Sequence, residues 1–380
     1  MAHDTRGAQQ DGPPKGTTPA GAGYPNTAGP RPGHIYAALD LGTNNCRLLI
    51  AKPDAASFRV LDSFSRTVRL GEGLSQTGEL SEAAIGRAID AIRICAVKMR
   101  KRGVTSARAI ATQACRTARN GPDFIKRVAL ETGLHFDIIP PAEEARLAVR
   151  GVTPLLDRAD AGALVFDIGG GSTELIWLDL RDRQRGPKIL RWGSMPLGVV
   201  TLAERFTGRL DAPGAYDEMI AEVKTRLAAI PGLAPHGNHP AGAFHMLGTS
   251  GTVTTIAGIH LGLERYERSK VDGTWLKRDD ILRVIAQLKT MNREARAAHP
   301  CVGPERTELV IPGLAIFEAI FSLWTPPRLR VADRGLREGM LLALMEGADA
   351  EGDRKNRRKR RGGRKRRRRF RAQKPTGPQS

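Results

Sequence analysis

Residues 39–45 read LDLGTNN and residues 166–174 read FDIGGGSTE, and these two similar stretches give the strongest indication of the fold. Each follows an apolar run, opens on an aspartate (Asp40 or Asp167), continues with small turn-forming residues and returns to an apolar run. This pattern predicts a strand, a tight turn and a second strand. Because the pattern occurs twice in one chain, it predicts two related domains with a cleft between them.

Both turns have the chemistry of a polyphosphate site. Glycine lets the backbone turn sharply and approach a ligand without a Cβ in the way. Successive backbone N–H groups in such turns form a concave anion site, and an aspartate at each strand end is a hard oxygen ligand suited to Mg²⁺. A glycine-rich turn with no ligand is the plain alternative. The second stretch is the more specific of the two, because Ser-Thr-Glu follows its three glycines.

Strands mixed with helices along the rest of the chain predict an α/β fold. Ser81 is the expected N-cap of a helix that runs to Lys101, and the apolar residues of this segment share one helical face. Further strands are expected at 58–70, 108–111, 136–139, 163–166 and 244–247, and further helices from Pro122, at 143–149 and after Thr252. The expected domains are 34–158 and 159–348, with the last helix packing back on the first domain.

The two ends of the chain have a different composition. Residues 1–33 are rich in Gly, Pro, Thr and Ala, lack the apolar region of a secretory signal, and are predicted to be disordered. Residues 349–380 are predicted to be a disordered polybasic tail. Residues 351–380 hold 15 Lys and Arg against 2 Asp and Glu, so they supply +13 of the net charge of +20. The folded part is therefore only moderately basic.

The cysteines and the hydropathy pattern predict a cytoplasmic protein with no membrane segment. Cys46, Cys95, Cys115 and Cys301 are far apart and show neither metal-site spacing nor a disulfide framework. No uninterrupted apolar run reaches the ~18 residues that span a bilayer.

Four motifs together resemble the Ppx/GppA phosphatases, which are exopolyphosphatases and guanosine pentaphosphate phosphohydrolases of the actin-like superfamily. The motifs are DLGTN at 40–44, EEAR at 143–146, DIGGGSTE at 167–174 and GTSGT at 248–252. The resemblance runs from about His34 to Met345, and it includes VIPGLA at 310–315 and RGLREG at 334–339. It implies two actin-like (ribonuclease H-like) domains with an interdomain cleft.

The resemblance also implies roles for individual residues. Glu144 matches the family's general base, and Arg116 matches an arginine near the same cleft; an exposed helix carboxylate and an ordinary helix arginine are the alternatives. Asp40 and Asp167, with Glu174 nearby, would hold Mg²⁺. The implied phosphate-binding residues are Gly42, Thr43, Asn44, Gly169, Gly170, Gly171, Ser172, Gly248, Ser250 and Gly251. The turn at 248–252 either contacts substrate or only begins a helix.

The implied activity is Mg²⁺-dependent release of terminal phosphate from inorganic polyphosphate, or alternatively of the 5′-phosphate of pppGpp. An actin-like kinase and a non-enzymatic alarmone- or RNA-binding regulator are the other hypotheses. The basic tail is either a non-specific polycation or a tether for RNA or polyphosphate. The chain could also form a homodimer.

One segment departs from the family pattern. Pro140-Pro141-Ala142 occupies the place where many members have Ser-Gly before the EEA motif. Prolines stiffen this approach to Glu144 and remove two N–H donors. The chain also ends before the C-terminal helical domains of longer members, so a short form of the family is expected.

Overall fold

The computed structural model of the chain describes residues 33–54, 57–233 and 243–346. A five-stranded sheet forms the first domain. Its strands are β1 (Tyr36–Leu41), β2 (Asn45–Asp54), β3 (Ser57–Thr67), β4 (Ser106–Ala111) and β5 (Asp137–Ile138). The strand order is β3-β2-β1-β4-β5, in which β1 pairs antiparallel with β2 and parallel with β4.

A six-stranded sheet forms the second domain and repeats this arrangement. Its strands are β6 (Gly162–Ile168), β7 (Thr173–Asp179), β8 (Lys188–Met195), β9 (Phe244–Thr249), β10 (Trp275–Lys277) and β11 (Arg328–Ala332). The order is β10-β11-β9-β6-β7-β8, so β8-β7-β6-β9-β11 corresponds to the whole first sheet. The predicted α/β fold with two actin-like domains is therefore confirmed.

The helices of the first domain connect its strands, and the last of them packs partly on the second sheet. They are α1 (Leu74–Thr77), α2 (Glu82–Lys101), α3 (Gln113–Thr117), α4 (Gly121–Thr132) and α5 (Pro141–Val152), followed by a short 3₁₀ turn at Thr153–Leu155. Ser81 caps α2, because its hydroxyl accepts a hydrogen bond from the N–H of Ala84 at 3.2 Å. The predicted apolar face of α2 is buried against β2 and its neighbours.

The second domain carries α6 (Val199–Arg205), α7 (Ala215–Ala228), α8 (Gly251–His260), α9 (Arg268–Val271), α10 (Arg278–Thr290), α11 (Arg293–Ala298), a 3₁₀ turn at Pro304–Arg306 and α12 (Thr307–Trp324). The continuous segment Pro304–Trp324 has the length and apolar composition to cross a membrane, although no single uninterrupted apolar run in the sequence does. Within the fold, 72% of its apolar window is buried, and α12 packs in the core of the second domain.

The last described helix, α13 at 336–346, leaves the second domain and packs on the first sheet. On its way it crosses α5 at unusually close range. A Cβ added to Gly151 would lie 1.9 Å from the carbonyl oxygen of Gly335, and one added to Gly339 would lie 1.9 Å from that of Leu147. Two helices can approach this closely only where glycines remove the side chains.

Helix α5 begins earlier than the sequence pattern predicted. Pro141 is its first residue and Pro140 precedes it in an extended conformation. Proline is well tolerated at the first helical position, since its missing N–H would have no partner there. The predicted disordered segments, 1–33 but for Gly33 and 349–380, lie outside the described residues.

Candidate active site

The first turn, between β1 and β2, is closed by a hydrogen bond from the N–H of Gly42 to the carbonyl of Asn45 at 2.9 Å. The segment after β3 supports this turn from behind. The N–H of Gly71 donates to the carbonyl of Thr43 at 2.9 Å, and the N–H of Val68 donates to that of Asn44 at 2.8 Å. The turn is therefore held rigidly by backbone contacts that leave its outer side facing the cleft.

The second turn, between β6 and β7, has the same closure, because the N–H of Gly169 donates to the carbonyl of Ser172 at 2.9 Å. It lies directly against the first turn. A Cβ added to Gly171 would lie 2.5 Å from Oγ1 of Thr43, and one added to Gly170 would lie 3.2 Å from the backbone nitrogen of Asn44. The glycines are needed here because the two turns touch.

A cavity of about 330 Å³ opens between the two domains at these turns. Most of the predicted site residues line it: Asp40, Gly42, Thr43, Asn44, Glu144, Asp167, Gly169, Gly170, Gly171, Ser172, Ser250 and Gly251. Tertiary structure thus brings together residues from the first turn and from the distant segment at 250–251. Arg116, Glu174 and Gly248 are not among the lining residues of this cavity.

Glu144 lies in the first turn of α5, and its side chain lines the cavity. Its Oε2 accepts a hydrogen bond from Arg116 at 2.7 Å, and both side chains are largely buried, at 14% and 13% exposed. Burial, assisted by the nearby carboxylates of Asp40 and Asp167, raises the pKa of Glu144 to about 7 against the opposing charge and hydrogen bond of Arg116. A base poised near neutral pH is what proton abstraction from water requires.

Arg116 is held on α3 by partners other than Glu144. Its guanidinium donates to the backbone carbonyl of Ile139 at 2.8 Å and to Oε1 of Gln113 at 2.8 Å. The arginine is therefore fixed beside the candidate base rather than exposed on a helix surface. Its charge is available to orient that carboxylate.

Asp40 and Asp167 occupy matching positions near the ends of β1 and β6. Burial raises the pKa of both carboxyls, to about 6 for Asp167, while Arg47 acts in the opposite direction on each of them. Glu174 lies opposite Asp167 in the β6–β7 register and accepts a hydrogen bond from Ser194 at 2.8 Å. Burial, followed by the charges of Glu144 and Asp167, raises the pKa of Glu174 to about 8.

This concentration of buried carboxylates fits a divalent cation, which would offset their mutual repulsion. Within the described residues, no three His, Cys, Asp or Glu side chains are grouped closely enough to hold a metal ion by themselves. Mg²⁺ commonly keeps several waters and takes only one or two carboxylates together with substrate phosphates. Asp40 and Asp167 are the residues that suit this role, and the metal assignment stays a prediction.

The third turn, between β9 and α8, contributes Ser250 and Gly251 to the cavity. Ser250 has a φ of 128°, and its Oγ is buried with no hydrogen-bond partner among the described residues. Gly248 lies inside β9, where a Cβ would be 2.4 Å from the ring of Phe166 and 2.9 Å from Val253. Close packing explains why a glycine occupies position 248, and the phosphate-binding role of Gly248 stays a prediction.

Three arginines in the cavity wall were not singled out from the sequence: Arg47, Arg306 and Arg337. Arg47 lies opposite Asp40 in the β1–β2 register, so the hairpin pattern itself could have located it. Arg337 belongs to the RGLREG motif at 334–339, which could have pointed to it, whereas the segment around Arg306 carries no such signal. Burial lowers the pKa of Arg337, and the charge of Glu338 opposes this effect.

Asp333 and Arg334 also line this wall, and they share one hydrogen-bond partner. The carboxylate of Asp272 accepts hydrogen bonds from the N–H of Asp333 at 3.0 Å and from Nε of Arg334 at 2.9 Å. Next to them, the buried Glu338 accepts from the N–H of Gly335 at 2.9 Å. These bonds fasten the connection that leads into α13.

Two actin-like domains that direct glycine turns and carboxylates into one cleft define a phosphate-handling protein of the actin-like superfamily. The model of the Ppx/GppA phosphatase family matches residues 49–348. The chain therefore belongs to the Ppx/GppA phosphatase family.

Relatives with known names support this assignment. A guanosine-5′-triphosphate,3′-diphosphate pyrophosphatase of Photobacterium profundum is 30% identical over 329 residues, which cover 82% of this chain and 59% of that protein. This chain thus spans less than two thirds of that relative's length.

Solved structures match over nearly their whole length. An exopolyphosphatase from Cytophaga hutchinsonii ATCC 33406 is 26% identical with a TM-score of 0.75, and the match covers 83% of this chain and 99% of that one. The Aquifex aeolicus member of the Ppx/GppA family is also 26% identical, with a TM-score of 0.66 and coverage of 82% and 97%.

Proposed function

We propose that this chain is a Mg²⁺-dependent phosphohydrolase that releases terminal phosphate from inorganic polyphosphate. The observation that carries the proposal is the position of Glu144, a largely buried carboxylate with a raised pKa that lines the same cavity as two touching phosphate turns. Membership of a phosphatase family supports it. The proposal includes a cytoplasmic location, in keeping with four cysteines that are all buried and free.

The chain's own residues account for most of the chemistry. The N–H groups of Gly42 and Gly169 close their own turns, so those at 43–44 and 170–172 would bind the phosphoryl oxygens, since phosphoryl transfer needs positioning and charge neutralisation above all. A water attacks the terminal phosphorus in line, a new P–O bond forms, and the bridging P–O bond breaks toward the shortened chain. Glu144 takes the proton of that water while Arg116 holds its carboxylate. Mg²⁺ bound near Asp40 and Asp167 would neutralise charge on the phosphates.

Hydrolysis of the 5′-phosphate of pppGpp is the second candidate. It is supported by the name of the Photobacterium relative, a guanosine-5′-triphosphate,3′-diphosphate pyrophosphatase. The same base and the same turns would serve, because both substrates end in a phosphoanhydride.

The deciding experiment measures phosphate release by the purified full chain with Mg²⁺ on long-chain polyphosphate and on pppGpp side by side, with Glu144→Ala as the control. Release mainly from polyphosphate supports the first candidate, and release mainly from pppGpp supports the second. Phosphate transfer to an added acceptor would indicate a kinase. No release above the variant from either substrate would overturn the enzymatic proposal in favour of a binding protein.

The pH dependence provides a separate check on Glu144. We expect kcat/KM to rise with pH, to reach half of its maximum near pH 7 and to level off above it, since Glu144 must be ionised to accept a proton and its pKa is raised to about 7. Below that pH the rate should fall about tenfold per unit, whereas an unperturbed glutamate with a pKa of about 4.3 would give a flat profile in this range. The measurement is kcat/KM between about pH 5 and 9 at constant ionic strength. A profile that stays flat down to about pH 5.5 contradicts this role.

The polybasic tail is expected to act on long substrates. Deleting residues 351–380 should raise KM for long polyphosphate about tenfold at low salt and much less at high salt, because binding through counterion release weakens as salt rises. KM for pppGpp, which carries far fewer phosphates than long polyphosphate, serves as the internal control. An unchanged KM for long polyphosphate at low salt would leave the tail as a non-specific polycation. RNA binding by the tail and homodimer formation stay predictions.

A further inference from the structure

A glutamate on the second domain reaches across to the first domain beside the cleft. Glu204, on α6, accepts two hydrogen bonds from the segment that begins α1. The N–H of Gly73 donates to its Oε1 at 2.8 Å, and the hydroxyl of Ser75 donates to its Oε2 at 2.6 Å. Both carboxylate oxygens are thus used in one contact between the domains.

On the first-domain side, this contact is continuous with the first phosphate turn. One residue separates Gly73 from Gly71, the last residue of the segment 68–71, in which three N–H groups donate to the carbonyls of Thr43 and Asn44. The packing there is tight, because a Cβ added to Gly71 would lie 2.3 Å from Cγ2 of Thr43. A displacement of Gly73 would therefore be transmitted to the first turn.

On the second-domain side, α6 begins on the second phosphate turn. The N–H of Val199 donates to the carbonyl of Gly169 at 3.0 Å, and that of Val200 donates to Gly170 at 2.8 Å. Gly198, which precedes the helix, packs so closely that an added Cβ would lie 2.5 Å from the carbonyl carbon of Gly170. Glu204 therefore belongs to the same rigid element as the second turn.

We propose that Glu204 is a positioning residue that holds the two phosphate turns at the separation which the reaction needs. This inference rests on the proposed function. Glu204 does not line the cavity and acts through the turns rather than on the substrate. Each side of the contact is fixed by backbone hydrogen bonds to its own turn, so the two carboxylate bonds act together with the direct contact between the turns to set how the half-sites face one another.

A second bridge keeps the domains together when the Glu204 contact is lost. The hydroxyl of Thr67 lies 3.0 Å from Oε2 of Glu305 in the second domain, and the packing of α13 on the first sheet adds a further connection. Loss of the Glu204 contact should therefore loosen the geometry of the turns without unfolding either domain.

The kinetic test compares Glu204→Ala, Glu204→Gln and Ser75→Ala. Glu204→Ala should lower kcat by about 10- to 100-fold with a smaller change in KM, because small displacements of the groups that position a substrate reduce the rate strongly. Glu204→Gln should recover part of the loss, since its amide oxygen can still accept from Gly73. Ser75→Ala, which removes one of the two bonds, should have an intermediate effect.

The matched control is Glu218→Ala. Glu218 is an exposed carboxylate of the same domain that pairs with Arg209 at 2.9 Å and does not line the cavity. It should leave kcat and KM unchanged. If Glu204→Ala behaves like this control, with the same melting temperature and kinetic constants within about twofold of the original protein, the inference is wrong.

A substrate-free measurement separates this inference from the proposed function. Hydrogen–deuterium exchange should be faster at 73–77 and also at 169–172 in Glu204→Ala than in the original protein, while α2 stays unchanged. If the original protein releases no phosphate, the proposed function fails and exchange alone decides on Glu204. Faster exchange at both segments then supports the coupling, and unchanged exchange at 169–172 overturns it.

Discussion

Glu144→Gln is expected to lower kcat for phosphate release by about 10²- to 10⁴-fold, the contribution of a positioned general base. The amide cannot accept a proton from water, but its oxygen can still accept the hydrogen bond that Arg116 now gives to Oε2. Arg116 also keeps its bonds to Ile139 and Gln113, so the local fold should survive. The measurement is steady-state phosphate release together with substrate affinity, and affinity should change little.

The neighbouring glutamate provides the matched control. Glu143 is adjacent in sequence and in the same helical turn, but it pairs with Arg108 and does not line the cavity. Glu143→Gln should therefore retain most of the activity. Equal losses in the two variants would mean that the EEAR segment matters for folding or charge rather than for proton transfer, and the assignment of Glu144 would fail.

Gly151→Ala is expected to destabilise the protein by at least about 1–3 kcal/mol, because the added methyl group overpacks a contact between two backbone segments. The new Cβ would lie 1.9 Å from the carbonyl oxygen and 2.7 Å from the carbonyl carbon of Gly335. Both are backbone atoms, so no side chain can rotate away and α5 and α13 must separate. The measurement is the free energy of unfolding from urea titration.

The control for this substitution is Gly86→Ala. Gly86 is an interior residue of α2 where a Cβ meets nothing within 4 Å, and alanine is favoured over glycine inside a helix by roughly 0.5–1 kcal/mol. Gly86→Ala should therefore stabilise the protein slightly. A Gly151→Ala variant as stable as the original protein would contradict the close crossing of α5 and α13.

This crossing has a consequence for the site, because each helix carries a residue of the cavity wall. Helix α5 bears Glu144 on the first-domain side, and α13 bears Arg337 next to the end of the second sheet. A Gly151→Ala protein that still folds should therefore also lose activity. Stability and catalysis depend here on the same close crossing.

The sequence predicted the local structure correctly wherever a short segment has a conformational preference of its own. Residue types and their spacing predicted the turns that follow Asp40 and Asp167, the Ser81 cap and the apolar face of α2. They could do so because backbone preference and hydrophobic periodicity act over a few residues. The start of α5 was placed too late, since the preference of proline for the first helical position outweighed the glutamate signal.

The prediction that the chain has no membrane segment shows that counting uninterrupted apolar residues is not sufficient to find every long apolar helix. The sequence has no uninterrupted apolar run that is long enough to span a membrane. The segment Pro304–Trp324 is nevertheless long and apolar enough as a helix, because its mean hydropathy stays high although a few polar residues interrupt it. The segment is buried within the second domain because other helices pack around it, and its own residues do not show which helices these are.

Contiguous motifs in the amino-acid sequence were sufficient to predict the duplicated strand-turn-strand unit, the family and the candidate base. Only the tertiary structure decided that Arg116 holds Glu144, that Arg306 and Arg337 join the same cavity, and that Glu204 links the two turns. The physical reason is that hydrogen bonding and desolvation depend on which distant segments meet. The raised pKa of Glu144 results from burial between two domains, and no local pattern of residues contains that information.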